Sequence, residues 1–184
     1  MTQQKLYKLA PRDGYAWLFP PEMGMYDAEF KRLATGTSAN SWWAAVRLVH
    51  SLMDDELALR PAGDFPHLAS KVPVFSERAR LVTASLLGES VEFLPATLSS
   101  SGEAVWVANI LARPVNIDED ASEFARTRSG IVFAVKRLVC HGKQAPMFAC
   151  PTLPGYYVSE EFLELLERSG LVGVHGVELG WSSR

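Results

Sequence analysis

A chain of 184 residues with 48% hydrophobic and 21% charged residues carries enough apolar material for a sizeable core and too ordinary a charge content for disorder. Its net charge of −3, with Lys and Arg scattered along the chain, argues against nucleic-acid binding through phosphate neutralisation. Two cysteines, Cys140 and Cys150, and no apolar run of signal-peptide or membrane-spanning length point to reduced thiols, a cytoplasmic setting and no membrane partner.

Leu6 to Leu9 and Tyr15 to Phe19 read as short strands, the second closed by Pro20-Pro21. Asp27 to Leu33 suits a brief helical turn. The aromatic and β-branched run from Trp42 to Val49 predicts a strand. Successive strand side chains point to opposite faces, so Trp42 and Trp43 cannot both face inward, and one of them becomes a candidate partner contact. Pro61 to Pro66 reads as a loop. Within a single domain over 1–184 it separates an N-terminal portion, 1–65, from a core, 66–184.

In the core, Val72-Pro73-Val74-Phe75 leads to Ser76 as helix cap and Glu77 in the first turn, with the helix running to about Leu87 and stopped by Gly88. Val91 to Leu98 and Ala104 to Leu111 flank a Ser-Ser-Ser-Gly-Glu turn and predict a hairpin whose second strand is apolar on both faces, as a central strand would be. Asp118 to Ala125 reads as an acidic loop or short helix, Ile131 to Val139 as a buried strand, and Met147 to Cys150 as an edge segment. Tyr156 to Glu160 repeats the apolar lead, Ser cap and Glu start, followed by a helix ending at Gly170 and a strand from Val172 to Leu179. The expectation is an α+β fold: a mixed or mainly antiparallel sheet with two packed helices, built on a strand-helix-strand unit that occurs twice.

No Gly-x-Ser-x-Gly elbow occurs. Cys140-His141 is the one adjacent thiol and imidazole pair, and with Cys150 it lacks the closely spaced ligands of a zinc site. Gly170, Gly173 and Gly176 follow a helix instead of opening one, so they read as turn formers and not as a phosphate loop. Carboxylates cluster at Asp54 to Glu56, at Asp118, Glu119, Asp120 and Glu123, and at Glu160 to Glu167. Most of these suit solvated faces; the Asp118 to Glu123 group is the candidate contact for a basic partner. No catalytic, metal-binding or cofactor-binding set emerges, and a binding protein is expected. The alternative is a small hydrolase using Cys140 with His141, or a carboxylate pair.

Val74-Phe75-Ser76-Glu77-Arg78, Val91-Glu92-Phe93-Leu94-Pro95, Val105 to Leu111, Asp118 with Ser122, and Gly155 to Glu160 through Gly170 to Val174 stand in an order and spacing that resembles a bacterial immunity protein family, the eleventh of the polymorphic toxin systems. The resemblance spans Val72 to Leu179. It implies a non-catalytic protein that binds a cognate secreted toxin, such as a basic nuclease domain, and occludes its active site. It supplies no catalytic residue, and its contact residues are expected to vary with the toxin.

Overall fold

The computed structural model describes residues 3–22, 24–50, 60–68 and 72–183. In chain order it contains β1 (Gln3–Pro11), β2 (Trp17–Phe19), α1 (Asp27–Leu33), β3 (Val46–His50), β4 (His67–Leu68), β5 (Val74–Ser76), α2 (Glu77–Leu87), β6 (Val91–Leu98), β7 (Ala104–Ile110), β8 (Glu123–Arg126), β9 (Val132–His141), β10 (Met147–Ala149), β11 (Tyr156–Ser159), α3 (Glu160–Arg168) and β12 (Val174–Ser183). The class is α+β, but the strands form two six-stranded mixed sheets where one was expected. Their orders are β4-β2-β3-β6-β7-β5 and β10-β11-β1-β12-β9-β8. The brief helical turn expected over Asp27 to Leu33 is helix α1, beside the two packed helices foreseen.

The two helices with Ser caps form for local reasons. Ser76 Oγ accepts from the Ala79 N–H at 3.0 Å and Ser159 Oγ from the Phe162 N–H at 3.3 Å, satisfying donors that the first helical turn leaves open. Each helix buries one stripe, Ala79, Thr83 and Leu87 in α2 and Phe162 and Leu166 in α3, into a core that both sheets share. That core takes Phe75, Val91, Ala108 and Ile110 from one sheet and Met147 and Val158 from the other. Alternation along each strand sends the neighbouring residues outward. Val74, Leu94, Val105 and Val107 pack under α1 and the Trp42-Trp43 turn, and Leu6, Leu138, Cys140, Phe148 and Tyr157 form a third cluster on the far side of the other sheet.

The repeated strand-helix-strand unit is present, and both copies use the same split arrangement. β5 and β6 flank β7, each antiparallel to it; β11 and β12 flank β1, each antiparallel to it. β6 then pairs parallel with β3, and β12 parallel with β9. The correspondence is clearest in one row, at the helix caps. Ser76, Val105, Ala96 and Val46 form one row across the first sheet, and Ser159, Leu6, Gly180 and Leu138 form the matching row across the second. Gly180 is required there, because a Cβ at this position would collide with the Leu138 carbonyl. The strand inserted at the centre of the second sheet is β1, from the N-terminal portion of the chain, so the sheets do not divide at residue 65.

Three local expectations are corrected. The strand predicted from Trp42 to Val49 begins only at Val46, since Trp42 and Trp43 sit in a turn whose N–H groups both donate to Ala39 O, at 3.0 and 2.8 Å. The acidic stretch ends in a strand, β8, because Phe124 packs inward against the outer cluster. The last strand runs on to Ser183, beyond the expected Leu179. Among the described residues no helix is long and apolar enough to cross a membrane.

Candidate partner-binding face

The acidic loop is stitched to the end of β9. Asp118 N donates to Val139 O at 2.9 Å, Val139 N to Ser122 Oγ at 2.9 Å, and Arg137 Nε to Ala121 O at 2.8 Å. Its carboxylates are mostly engaged within the same hairpin. Glu119 lies 3.7 Å from Arg126 and Glu123 3.2 Å from Lys136. Asp118 accepts from the Ala121 N–H at 2.9 Å and from His141 Nε2 at 3.1 Å. The Ala121 hydrogen bond holds its carboxyl below the usual range, burial opposes this, and His141 adds to the lowering. Asp120 makes no ion pair among the described residues, so this loop presents far less net negative charge than its four acids suggest.

Trp42 and Trp43 are both half-buried against the α1 side of the first sheet. Their indole N–H groups donate to Ser38 O at 3.2 Å and Pro95 O at 3.0 Å, and Arg32 stacks 4.3 Å from the Trp42 ring centre. A turn, unlike a strand, lets adjacent side chains share one side. Both indoles thus pack and bond within the fold, and neither is presented as a free anchor.

The chemistry weighed for Cys140 and His141 does not come together. Cys140 is fully buried in the outer cluster, and burial, with Cys150 nearby, pushes its thiol up to about 11, which keeps it protonated at neutral pH. His141 points to the other face of β9, where its Nδ1 lies 3.0 Å from Ser183 Oγ and its Nε2 faces Asp118. This Ser183, His141 and Asp118 line was not foreseen; 42 residues separate His141 from Ser183 and 23 separate it from Asp118, and no motif links them. Ser183 sits within a paired strand, not on the strand-to-helix turn that gives hydrolase serines their oxyanion donors. Glu160, Glu161, Glu164 and Glu167 are exposed along α3, with the first two favouring its N-terminal dipole. Asp54, Asp55 and Glu56 lie outside the described residues. Among the described residues no group of His, Cys, Asp and Glu is arranged to hold a metal ion.

What the sequence did not single out is the exposure of large apolar residues on the second sheet. Helix α3 lies over β1 and β11, and beyond it Trp181 of β12 is 36% exposed, as are Phe133 and the adjoining Ile131 at the start of β9, by 62% and 65%. Register fixes the faces: Leu6 and Gly180 point to the outer cluster, so their neighbours Lys5 and Trp181 point to the helix side. Phe133 lies in a β-bulge of β9, between Ala134, which pairs with Ala125, and Val132, which pairs with Arg126, six residues before Val139, the partner of Trp181. Lys5, opposite Trp181, forms an ion pair with Glu178 at 3.4 Å. Neither a protein-family model nor a curated protein matches this chain. The chain itself supplies a comparison. In the matching row of the first sheet, the place of Trp181 is taken by Thr97 and that of Val139 by Arg47, polar residues suited to a sheet face open to water. The fold does not call for tryptophan at this position.

Proposed function

We propose that this protein is an immunity protein, which binds a cognate bacterial toxin in the cytoplasm and blocks its active site without catalysing a reaction. The observation that carries the reading is the exposure of Trp181 on β12, with Phe133 and Ile131 exposed at the start of β9. A protein interface has an apolar, aromatic-rich centre inside a polar rim, and few residues supply most of its energy. Exposed Trp181, opposite Lys5 of the Lys5–Glu178 ion pair, suits such a centre, and Thr97 in the matching row argues that Trp181 serves something other than folding. The resemblance to the immunity family gives the partner its class. The net charge of −3 suits a basic nuclease domain through long-range attraction more than through the acidic loop, whose Glu119 and Glu123 are already paired.

Co-expression with the toxin domains encoded in the same genome tests the reading. Survival and co-purification are expected with the natural chain and are expected to be lost when Phe133 and Trp181 are replaced by Ser and Thr. Unchanged toxicity in the presence of the natural, folded chain would overturn it.

A further inference from the structure

We infer that the pocket where β1 ends and β5, β11 and β12 begin is a binding site for a medium-chain monocarboxylate, whose acyl chain lies on the apolar wall and whose carboxylate meets Lys8 and Tyr156. The site is separate from Trp181 and does not depend on toxin binding.

The pocket encloses about 310 Å³, within the ~300–1,000 Å³ usual for small-molecule sites. Leu9, Tyr156 and Val174 line it from the second sheet, and Phe65, Val72 and Val74 from the side of the first. Register brings the first group together, since Leu9 pairs with Tyr156 and the strand-end Pro11 with Val174. All three are half-buried at the margin of the core that the two sheets share. The two sheets thus leave an apolar recess at the edge of their common core, and an acyl chain placed there removes apolar surface from water on both sides.

The polar side chains of the lining specify the head group. Among the described lining residues Lys8 carries the one charge, and none is Asp or Glu. Neither the Lys8 ammonium nor the Tyr156 hydroxyl makes a hydrogen bond or ion pair among the described residues. Gly155 makes room for the lysine. It has φ +102°, and a Cβ there would lie 2.8 Å from Lys8 Cε, so a larger residue would be strained and would displace the stem. Burial raises the Tyr156 phenol above its usual value, against the pull of Arg113, which keeps it a donor at neutral pH. Two donors and no side-chain carboxylate beside an apolar wall match a group that only accepts, and a single ammonium matches a single negative charge. A carboxylate meets both conditions; an amine meets neither.

Isothermal titration of octanoate and of uncharged octanol into the full chain tests this. Octanoate is expected to bind saturably, one per chain and more tightly than octanol. Lys8→Met keeps an unbranched apolar stem and removes the charge; it should weaken octanoate at least about tenfold and leave octanol unchanged. Tyr156→Phe should weaken octanoate by a smaller factor. Val174→Phe, compared with the natural chain by its urea midpoint, fills the pocket and should abolish binding of both; if it does not fold, the Lys8→Met result decides. No saturable octanoate binding by the natural chain overturns the assignment. So does octanol binding as tight as octanoate, undiminished octanoate affinity in Lys8→Met, or octanoate binding that persists in folded Val174→Phe.

Discussion

Ser76 and Ser159 hold the same station in the two halves of the molecule. Each is the last residue of its strand, each pairs with the strand that lies between its own and the one following the helix, at Val105 and Leu6, and each caps the helix that follows. Replacing either by Ala leaves an N–H of the first helical turn without its partner and is expected to lower stability by about 1 kcal/mol. Ser76→Ala should cost more than Ser159→Ala, because Ser76 Oγ also donates to buried Asp64 at 3.2 Å. Urea unfolding of both variants checks the magnitude and the order; equal stability with the natural chain would remove the caps from the account.

Glu92 should govern part of the acid limb of the stability profile. Burial pushes its carboxyl up, but hydrogen bonds from the Ala39 N–H at 2.7 Å, the Asn109 amide at 2.9 Å and the Ser38 hydroxyl at 2.7 Å outweigh it and hold it below the usual range. A carboxyl whose value is depressed in the folded state stabilises fully above its unfolded value, roughly 4.3, and the contribution disappears as pH falls through the lower folded value. Glu92→Gln is therefore expected to cost about 1–2 kcal/mol near neutrality and to flatten the loss of stability below roughly pH 4.3. Parallel curves for the two proteins across that range would contradict it.

The two thiols should differ in reactivity. Cys140 is fully buried with its thiol pushed up to about 11, whereas Cys150 is half-buried and hydrogen-bonded to Thr152 at 3.1 Å. Native alkylation near neutral pH is expected to label Cys150 first and Cys140 only under denaturing conditions. Mass spectrometry of the labelled peptides reads this directly, and rapid native labelling of Cys140 would contradict its burial.

Much of this was legible in the sequence where the determinants are local. Ser76-Glu77 and Ser159-Glu160 mark helix starts that depend on their own first turns, and the Ser-Ser-Ser-Gly-Glu turn marks a hairpin. The division into two sheets was not legible, because it rests on pairings between distant segments, β3 with β6, β9 with β12, and β1 with β11 and β12, and a single strand carries no label for its partner. Trp42 and Trp43 misled for a related reason. Their composition favours a strand, but Pro95 O and Ser38 O, which take the indole hydrogens, and the Ala39 carbonyl that closes the turn, make a better arrangement of both rings than a strand allows. The exposure of Trp181, Phe133 and Ile131 escaped notice because apolar residues in a strand read as core until the cover on each face is known.

The most direct test of toxin neutralisation through Trp181 and Phe133 is isothermal titration of the purified chain, and of its Phe133→Ser, Trp181→Thr variant, into a catalytically inactivated toxin domain against which the natural chain protects. The natural chain is expected to bind with one-to-one stoichiometry. The variant, whose Thr at 181 copies the first sheet, should unfold at the same urea concentration yet lose at least about 2 kcal/mol of binding, the scale of an interface hot spot. Absence of binding by the natural chain contradicts the proposed function, and undiminished binding by the variant contradicts the assignment of the face.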